Sequence, residues 1–259
     1  MNASYRGHMP AITCQTIVDR IDGLSYDVRS FRLRLSNPTR LSFESGQFVI
    51  VNIPKDMPGA PPEVRAHAAQ APGPFVKRAY SIASPPHEEG VIELCLQRVE
   101  KGIASTYFWG LKEGATVSIS GPHGRFLLQE PLDSEPVFMC TGTGVAPFRA
   151  MIKHLFHLNA TQPIWLFFGC RYEHGLLYEA EFRSLASMRR NFHYVPTVSR
   201  PKDWNGETGH IQQTFQKHIK ELGNKRVYIC GWSEVVKSVS ADLAAFGMPK
   251  ERIHFEEWE

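Results

Sequence analysis

Residues 136–151 read PVFMCTGTGVAPFRAM, and this stretch decides how the second half of the chain is built. A continuous apolar run stops at two glycines, Gly142 and Gly144, and a helical pattern begins at about Pro147. An unbroken apolar run of this length marks a strand buried on both faces. Pro147 suits a first helical position, where the missing N–H is no loss. Glycines at such a turn let the backbone, near Thr143 and Gly144, approach a diphosphate. The open N–H groups and dipole of the new helix favour its charge. The stretch departs from the GxGxxG dinucleotide fingerprint, because Pro147 stands where the third glycine belongs. Taken alone, the turn fits an ordinary strand–helix junction as well.

Three more apolar runs follow: PIWLFFGC at 163–170, FHYVPTVS at 192–199 and RVYICGW at 226–232. Helical stretches near 147–158, 176–190, 210–222 and 233–246 alternate with them. This alternation predicts an α/β domain with a doubly wound parallel sheet, in which ligands bind beyond the carboxyl ends of the strands. Toward the N-terminus the rhythm changes at about residue 134. Segments 13–19, 28–35, 47–53, 78–83, 91–99 and 116–120 are short, rich in β-branched or apolar residues, and separated by Gly, Pro, Asn and Ser. They predict an all-β antiparallel six-stranded Greek-key barrel. The expected domains are 1–133 and 134–259. Between Pro54 and Phe75 the stretch KDMPGAPPEVRAHAAQAPGP has five prolines, and this insertion reads as a mobile surface loop.

Composition narrows the function classes. With 259 residues, 42% hydrophobic and 21% charged, the chain is of ordinary globular make-up and long enough for two cores. No apolar run reaches the roughly 18 residues of a membrane span, and MNASYRGHMPAITCQ lacks an export pattern, so a cytoplasmic location is expected. Cys14, Cys95, Cys140, Cys170 and Cys230 are widely spaced, which indicates neither a disulfide framework nor a zinc or iron–sulfur site. The net charge of +3 is too small to define a partner.

In the β half, RAYSIAS (78–84) stands out. Arg78 can pair with a phosphate, Tyr80 offers an aromatic face, and Ser81 a hydroxyl within reach of a ring. An exposed edge strand would carry the same residues. With this motif, KGIASTYF (101–108), GPHGRF (121–126), TGTGVAPFRAM (141–151) and YICGW (228–232), the chain resembles the ferredoxin–NADP reductase family of flavoproteins, the motifs falling in family order. The resemblance implies a flavin-binding barrel and an NADP-binding sheet. Within it, Arg78, Ala79, Tyr80 and Ser81 hold the flavin, with the isoalloxazine against Tyr80 and Ser81 near its reactive nitrogen. Gly102, Ile103, Ala104 and Ser105 meet the flavin diphosphate, and the strand with Cys95, Leu96, Gln97 and Arg98 lies along the cofactor. FAD is favoured over FMN.

For the nicotinamide the resemblance implies Cys230 and Gly231 beside the stacked rings, Gly231 because a side chain would obstruct them. The other reading of Cys230 is a buried structural thiol. At the terminus HFEEWE (254–259), Trp258 matches an aromatic that covers the flavin until nicotinamide displaces it, and Glu256 or Glu257 is placed to relay a proton. A charged tail is otherwise plain solvated surface. Arg171, Ser199 and Arg200 follow two neighbouring strands and suit a 2′-phosphate, with His210 as a further donor. NADP is therefore favoured, although NAD-using relatives also carry an arginine like Arg171.

These readings lead to a flavoenzyme that moves a hydride between NADPH and FAD and single electrons between the flavin and a separate ferredoxin or flavodoxin. Lys77, Lys101 and Arg125 are candidates to meet an acidic partner. One alternative is the reductase component of a multi-component oxygenase. Another, from a different class, is a non-catalytic nucleotide-binding regulatory module, for which damage at Arg78, Tyr80, Ser81 or the 101–108 loop is expected and none is visible.

Overall fold

A computed structural model describes residues 10–129 and 132–258. The first nine residues, on which the localisation reading rests, and Glu259 lie outside the described residues. The chain divides into two compact units, one running to Asp22 and continuing over Val28–Leu127, the other comprising Gly23–Asp27 and the chain from Leu128 onward.

The first unit holds β1 (Ile12–Gly23), β2 (Val28–Asn37), β3 (Phe48–Pro54), β4 (Phe75–Ser81), β5 (Val91–Gln97) and β6 (Thr116–His123), with helices α1 (Pro62–Gln70) and α2 (Ile103–Gly110). The sheet order is β4-β3-β6-β1-β2-β5, and β6 pairs antiparallel with both β1 and β3. Its two edges meet where Ile82 bridges Leu94 and Ala83 N–H donates to the Glu93 carbonyl at 2.8 Å. The antiparallel sheet is thereby curled into a barrel. Alternation decides what fills it: Phe31, Leu33 and Leu35 on β2, Val49, Val51 and Ile53 on β3, and Ile92, Leu94 and Leu96 on β5 all face one core.

The 54–75 insertion is more ordered than the sequence predicts. Its centre is helix α1, whose Val64 and Ala68 are buried on the barrel core together with Met57 and Ala60. Pro61 and Pro62 occupy the cap and first helical position, where proline is tolerated, and the residues that follow are largely helix formers. Lys55 Nζ donates to the carbonyls of Ala69 (3.3 Å) and Ala71 (2.6 Å), placing a cation at the negative end of the helix.

The second unit is a six-stranded parallel sheet. Its strands are β7 (Glu135–Thr141), β8 (Ile164–Cys170), β9 (Phe192–Val198), β10 (Glu207–Thr208), β11 (Lys225–Trp232) and β12 (Ile253–Trp258), in the order β10-β9-β8-β7-β11-β12. Helices α5 (Ile211–His218) and α6 (Ser233–Ala245) bury Phe215, Val236, Val239 and Leu243 against Val137, Phe167 and Ile229 on one face. The opposite face carries α3 (Val145–His157) and α4 (Glu179–Met188), with Phe148 5.0 Å from Phe138 and Phe182 5.4 Å from Tyr194. Buried Arg149 on α3 ties the two helices together through Glu181 at 2.7 Å.

Two details differ from the sequence reading. Helix α3 begins at Val145, preceded by a single 3₁₀ turn at Gly142–Gly144, so Pro147 is its third residue, still within the turn whose N–H groups have no helical partner. The terminal HFEEWE is not a solvated tail up to Trp258: it is part of β12, a parallel strand registered on β11. No described helix is long and apolar enough to cross a membrane.

Candidate flavin and dinucleotide sites

On the barrel, Arg78, Ala79, Tyr80 and Ser81 form the end of edge strand β4, opposite Val51, Ile50, Val49 and Phe48 of β3. Strand alternation puts Arg78 and Tyr80 on one face and Ala79 and Ser81 on the other. The Tyr80 ring meets Phe108 of α2 edge to face at 5.7 Å, which couples this strand to the helix. Burial pushes the Tyr80 phenol up to about 12, with the Arg78 charge pulling it partly back. The Arg78 guanidinium is exposed and donates to the Lys77 carbonyl at 2.9 Å.

Helix α2 starts from a tight turn. Lys101 adopts φ 57°, Gly102 N–H donates to the Val99 carbonyl at 3.0 Å, and a Cβ on Gly102 would lie 3.1 Å from both the Val99 Cβ and its carbonyl oxygen. The Ser105 hydroxyl accepts the Val99 N–H at 2.7 Å and so braces this turn. No side chain caps the helix, which leaves the first-turn amides of Ile103, Ala104 and Ser105 as the available anion donors. On β5, Cys95 and Leu96 are buried (6% and 2% exposed), so their side chains are committed to packing, whereas Gln97 and Arg98 are exposed. An exposed arginine, an aromatic ring and a helix start without a side-chain cap in one unit fit a flavin with a diphosphate.

In the sheet, the chain runs from β7 through β8 and β9 to β10 on one side, then crosses to β11 and β12 on the other. The switch point therefore lies between the carboxyl ends of β7 and β11, where open α/β sheets bind their ligands. Gly142 there takes φ +54°, and Gly144 lies so close to the Cys230 backbone that a Cβ would overlap the Cys230 carbonyl. Gly231 stands against Thr141, whose hydroxyl would be 3.0 Å from a Cβ at that position. That hydroxyl is buried and has no hydrogen-bond partner among the described residues. Thr141 was missed in the sequence reading, although it is the first residue of the TGTG run.

Cys230 is wholly buried, opposite Cys140 on β7 and Glu256 on β12. Burial, then the Glu256 carboxylate and Cys140, push its thiol well above the usual range, so it stays a neutral side chain with no nucleophilic character. Glu257 pairs with Gly231 in register, and its carboxylate accepts the Ser233 hydroxyl at 2.9 Å. Trp258 is registered on Trp232, and its ring comes within 3.2 Å of a Cβ built on Gly144. Thus Thr143, Gly144, Cys230, Gly231, Glu256 and Trp258 all gather at the carboxyl ends of three neighbouring strands, β7, β11 and β12.

At the ends of β8 and β9, Ser199 N–H donates to the Cys170 carbonyl (2.9 Å) and Arg200 N–H to the Arg171 carbonyl (2.8 Å). The exposed Arg171 and Arg200 are therefore held on neighbouring chain segments, with the Ser199 hydroxyl donating to Cys170 O at 3.3 Å. His210 caps α5 next door: its N–H donates to the Gln213 side chain at 3.1 Å, and the N–H of adjoining Gly209 to the Val198 carbonyl at 3.1 Å.

The two units define a flavin- and dinucleotide-binding oxidoreductase, and comparison with known proteins agrees. Residues 15–127 match the family model described as oxidoreductase FAD-binding domain, and residues 138–241 that described as oxidoreductase NAD-binding domain. The chain is 32% identical over 245 residues to ferredoxin–NADP reductase B of Sorangium cellulosum, covering 91% of this chain and 93% of that protein. It is 30% identical over 258 residues to the phenol hydroxylase P5 protein of Acinetobacter pittii, covering 97% of this chain and 67% of the relative. Among solved structures, the Amycolatopsis cytochrome P450 reductase GcoB superposes with a TM-score of 0.82 at 25% identity, over 96% of this chain and 70% of that one. A ferredoxin NADP+ reductase from Neisseria gonorrhoeae shares the fold, with a TM-score of 0.76 at 20% identity over 95% of this chain and 98% of that one. The chain belongs to the ferredoxin–NADP reductase-like family of flavin oxidoreductases.

Proposed function

We propose that this enzyme, acting in the cytoplasm, passes a hydride between NADPH and FAD, and single electrons between the flavin and a separate ferredoxin or flavodoxin. The carrying observation is the meeting of Gly144, Cys230 and Gly231 at the switch point of a parallel sheet, with an unpartnered Thr141 hydroxyl beneath Gly231. FAD, when bound, supplies the conversion between a two-electron hydride and one-electron steps. The protein's own contribution is placement.

In this reading the flavin belongs to residues 1–133, with Arg78 and the first-turn amides of α2 on its diphosphate. Tyr80 lies on the ring, Ala79 and Ser81 sit beside it, and Gln97 and Arg98 flank the adenosine end. The dinucleotide belongs to residues 134–259. Thr143 and Gly144 present the amides of the 3₁₀ turn and α3 to its diphosphate, and glycine at 231 leaves room for the nicotinamide. Hydride transfer needs the reacting atoms at about 3–3.5 Å, so steric clearance is the useful property of that position. Glu256 stands beside Cys230 as the group able to hold a proton there. Arg171, Ser199, Arg200 and His210 bind the adenosine end, two guanidiniums favouring a 2′-phosphate.

A separate one-electron protein as partner is supported by the likeness to ferredoxin–NADP reductase B, whose name gives a ferredoxin as its partner. The phenol hydroxylase relative supports a second reading, a reductase component serving an oxygenase. Stopped-flow reoxidation of the reduced protein separates the two. Rapid reoxidation by ferredoxin or flavodoxin supports the first reading. Reoxidation only by an oxygenase component supports the second.

A further inference from the structure

Between β9 and β10 the chain makes an arm, residues 199–206, that is pinned in the middle by a side chain from another strand end. Glu173, three residues past β8, accepts the N–H groups of Lys202 (2.5 Å) and Asp203 (3.0 Å) on the same carboxylate oxygen. The Lys202 ammonium lies 5.6 Å over the Tyr172 ring, which adds a second contact between the same two segments. Farther along, Trp204 donates its indole N–H to the Glu207 carbonyl at 2.9 Å and lies flat on Gly206, where a Cβ would come 2.5 Å from the ring. Arg200 is thus fixed on both sides, by its own N–H on the Arg171 carbonyl and by the Glu173 clamp two residues on.

Acidic residues past the second strand of such sheets commonly accept ribose hydroxyls. Here that carboxylate is turned to the arm instead. Donation from backbone N–H groups, foremost its own and that of Lys202, holds the Glu173 carboxyl below the ordinary range, so the clamp is ionised at neutral pH. We propose that Glu173 is a positioning residue for the dinucleotide: it fixes the 199–206 arm so that Arg200 stands beside Arg171, and thereby sets the preference for a phosphorylated adenosine end. This rests on the reading of Arg171 and Arg200 as a 2′-phosphate site.

The alternative physical role has the opposite sign, because a bare carboxylate near that phosphate would repel it. Steady-state kinetics of the full-length flavoprotein with NADPH and NADH, using an artificial one-electron acceptor, separates the two. The clamp predicts that Glu173→Ala raises KM for NADPH about tenfold, as expected for loss of charge-assisted hydrogen bonds, with kcat and the NADH values little changed. Glu173→Gln, which keeps an acceptor oxygen without the charge, recovers part of the loss. Should the alanine variant fail to fold, Glu173→Asp, which shortens the reach by one methylene, is expected to shift KM the same way. A lower KM for NADPH in both the Ala and Gln variants, or equal shifts for the two nucleotides, would overturn the clamp. Arg200→Ala measured alongside distinguishes the failures. If it leaves the NADPH to NADH ratio unchanged, the phosphate site and the clamp both fall; if it changes the ratio and Glu173→Ala does not, the clamp alone falls.

Discussion

Gly144 and Cys230 meet backbone to backbone: the turn after β7 touches the end of β11 with no room for a single methyl group. This contact brings the 3₁₀ turn and the start of α3 against the strand end that carries Gly231. The first prediction follows from it. Gly144→Ala forces the turn or β11 to move, which overpacking precedent sets at about 1–3 kcal/mol of stability. Thermal unfolding should register that loss. Nucleotide affinity should fall sharply while flavin content, which depends on the barrel, is retained.

Trp258 rests its ring near the same glycine, where the dinucleotide diphosphate is proposed to lie. Nucleotide binding should therefore displace the indole. Removing it as Trp258→Ala should tighten NADPH binding several-fold in equilibrium titrations, about 1 kcal/mol for a few-fold change. Weaker binding would mean that Trp258 supports the nucleotide.

Arg200→Ala should raise KM for NADPH by about tenfold or more, the scale of a lost charge-assisted pair, and that for NADH far less. Parallel initial-rate measurements check this, and equal effects would remove the 2′-phosphate assignment.

The Tyr80 phenol gives a pH signature. Its folded value, about 12, exceeds the ordinary 10, so the folded state favours the protonated ring. The associated stability is complete below pH 10 and is lost as pH rises from 10 to about 12, an effect on the order of 2–3 kcal/mol. Denaturant titrations should show a steeper alkaline fall for the wild-type protein than for Tyr80→Phe.

The parts legible from sequence were those written in local periodicity. Segment 28–35, short and rich in apolar residues, reads as a barrel strand, and the unbroken 136–142 run as a buried parallel one, because burial leaves a direct mark on composition. Helix α1 was hidden by its prolines, whose tolerance at a helix start depends on where the helix begins. β12 was hidden for a different reason: His254, Glu256 and Trp258 alternate with exposed Phe255 and Glu257, and only pairing with β11, across helix α6, makes them a strand. The Arg171–Arg200 neighbourhood was legible from strand order. The Glu173 clamp joins a side chain to backbone N–H groups about 30 residues away, which no local pattern encodes.

The central claim is that one chain carries both a flavin and the nicotinamide dinucleotide that reduces or oxidises it. Anaerobic titration of the purified flavoprotein with NADPH and, separately, with NADH tests this most directly, read as the visible absorbance of the flavin. The account predicts bleaching by NADPH at lower concentration than by NADH, reversed on adding ferredoxin or flavodoxin. A flavin left fully oxidised by both nucleotides would contradict it.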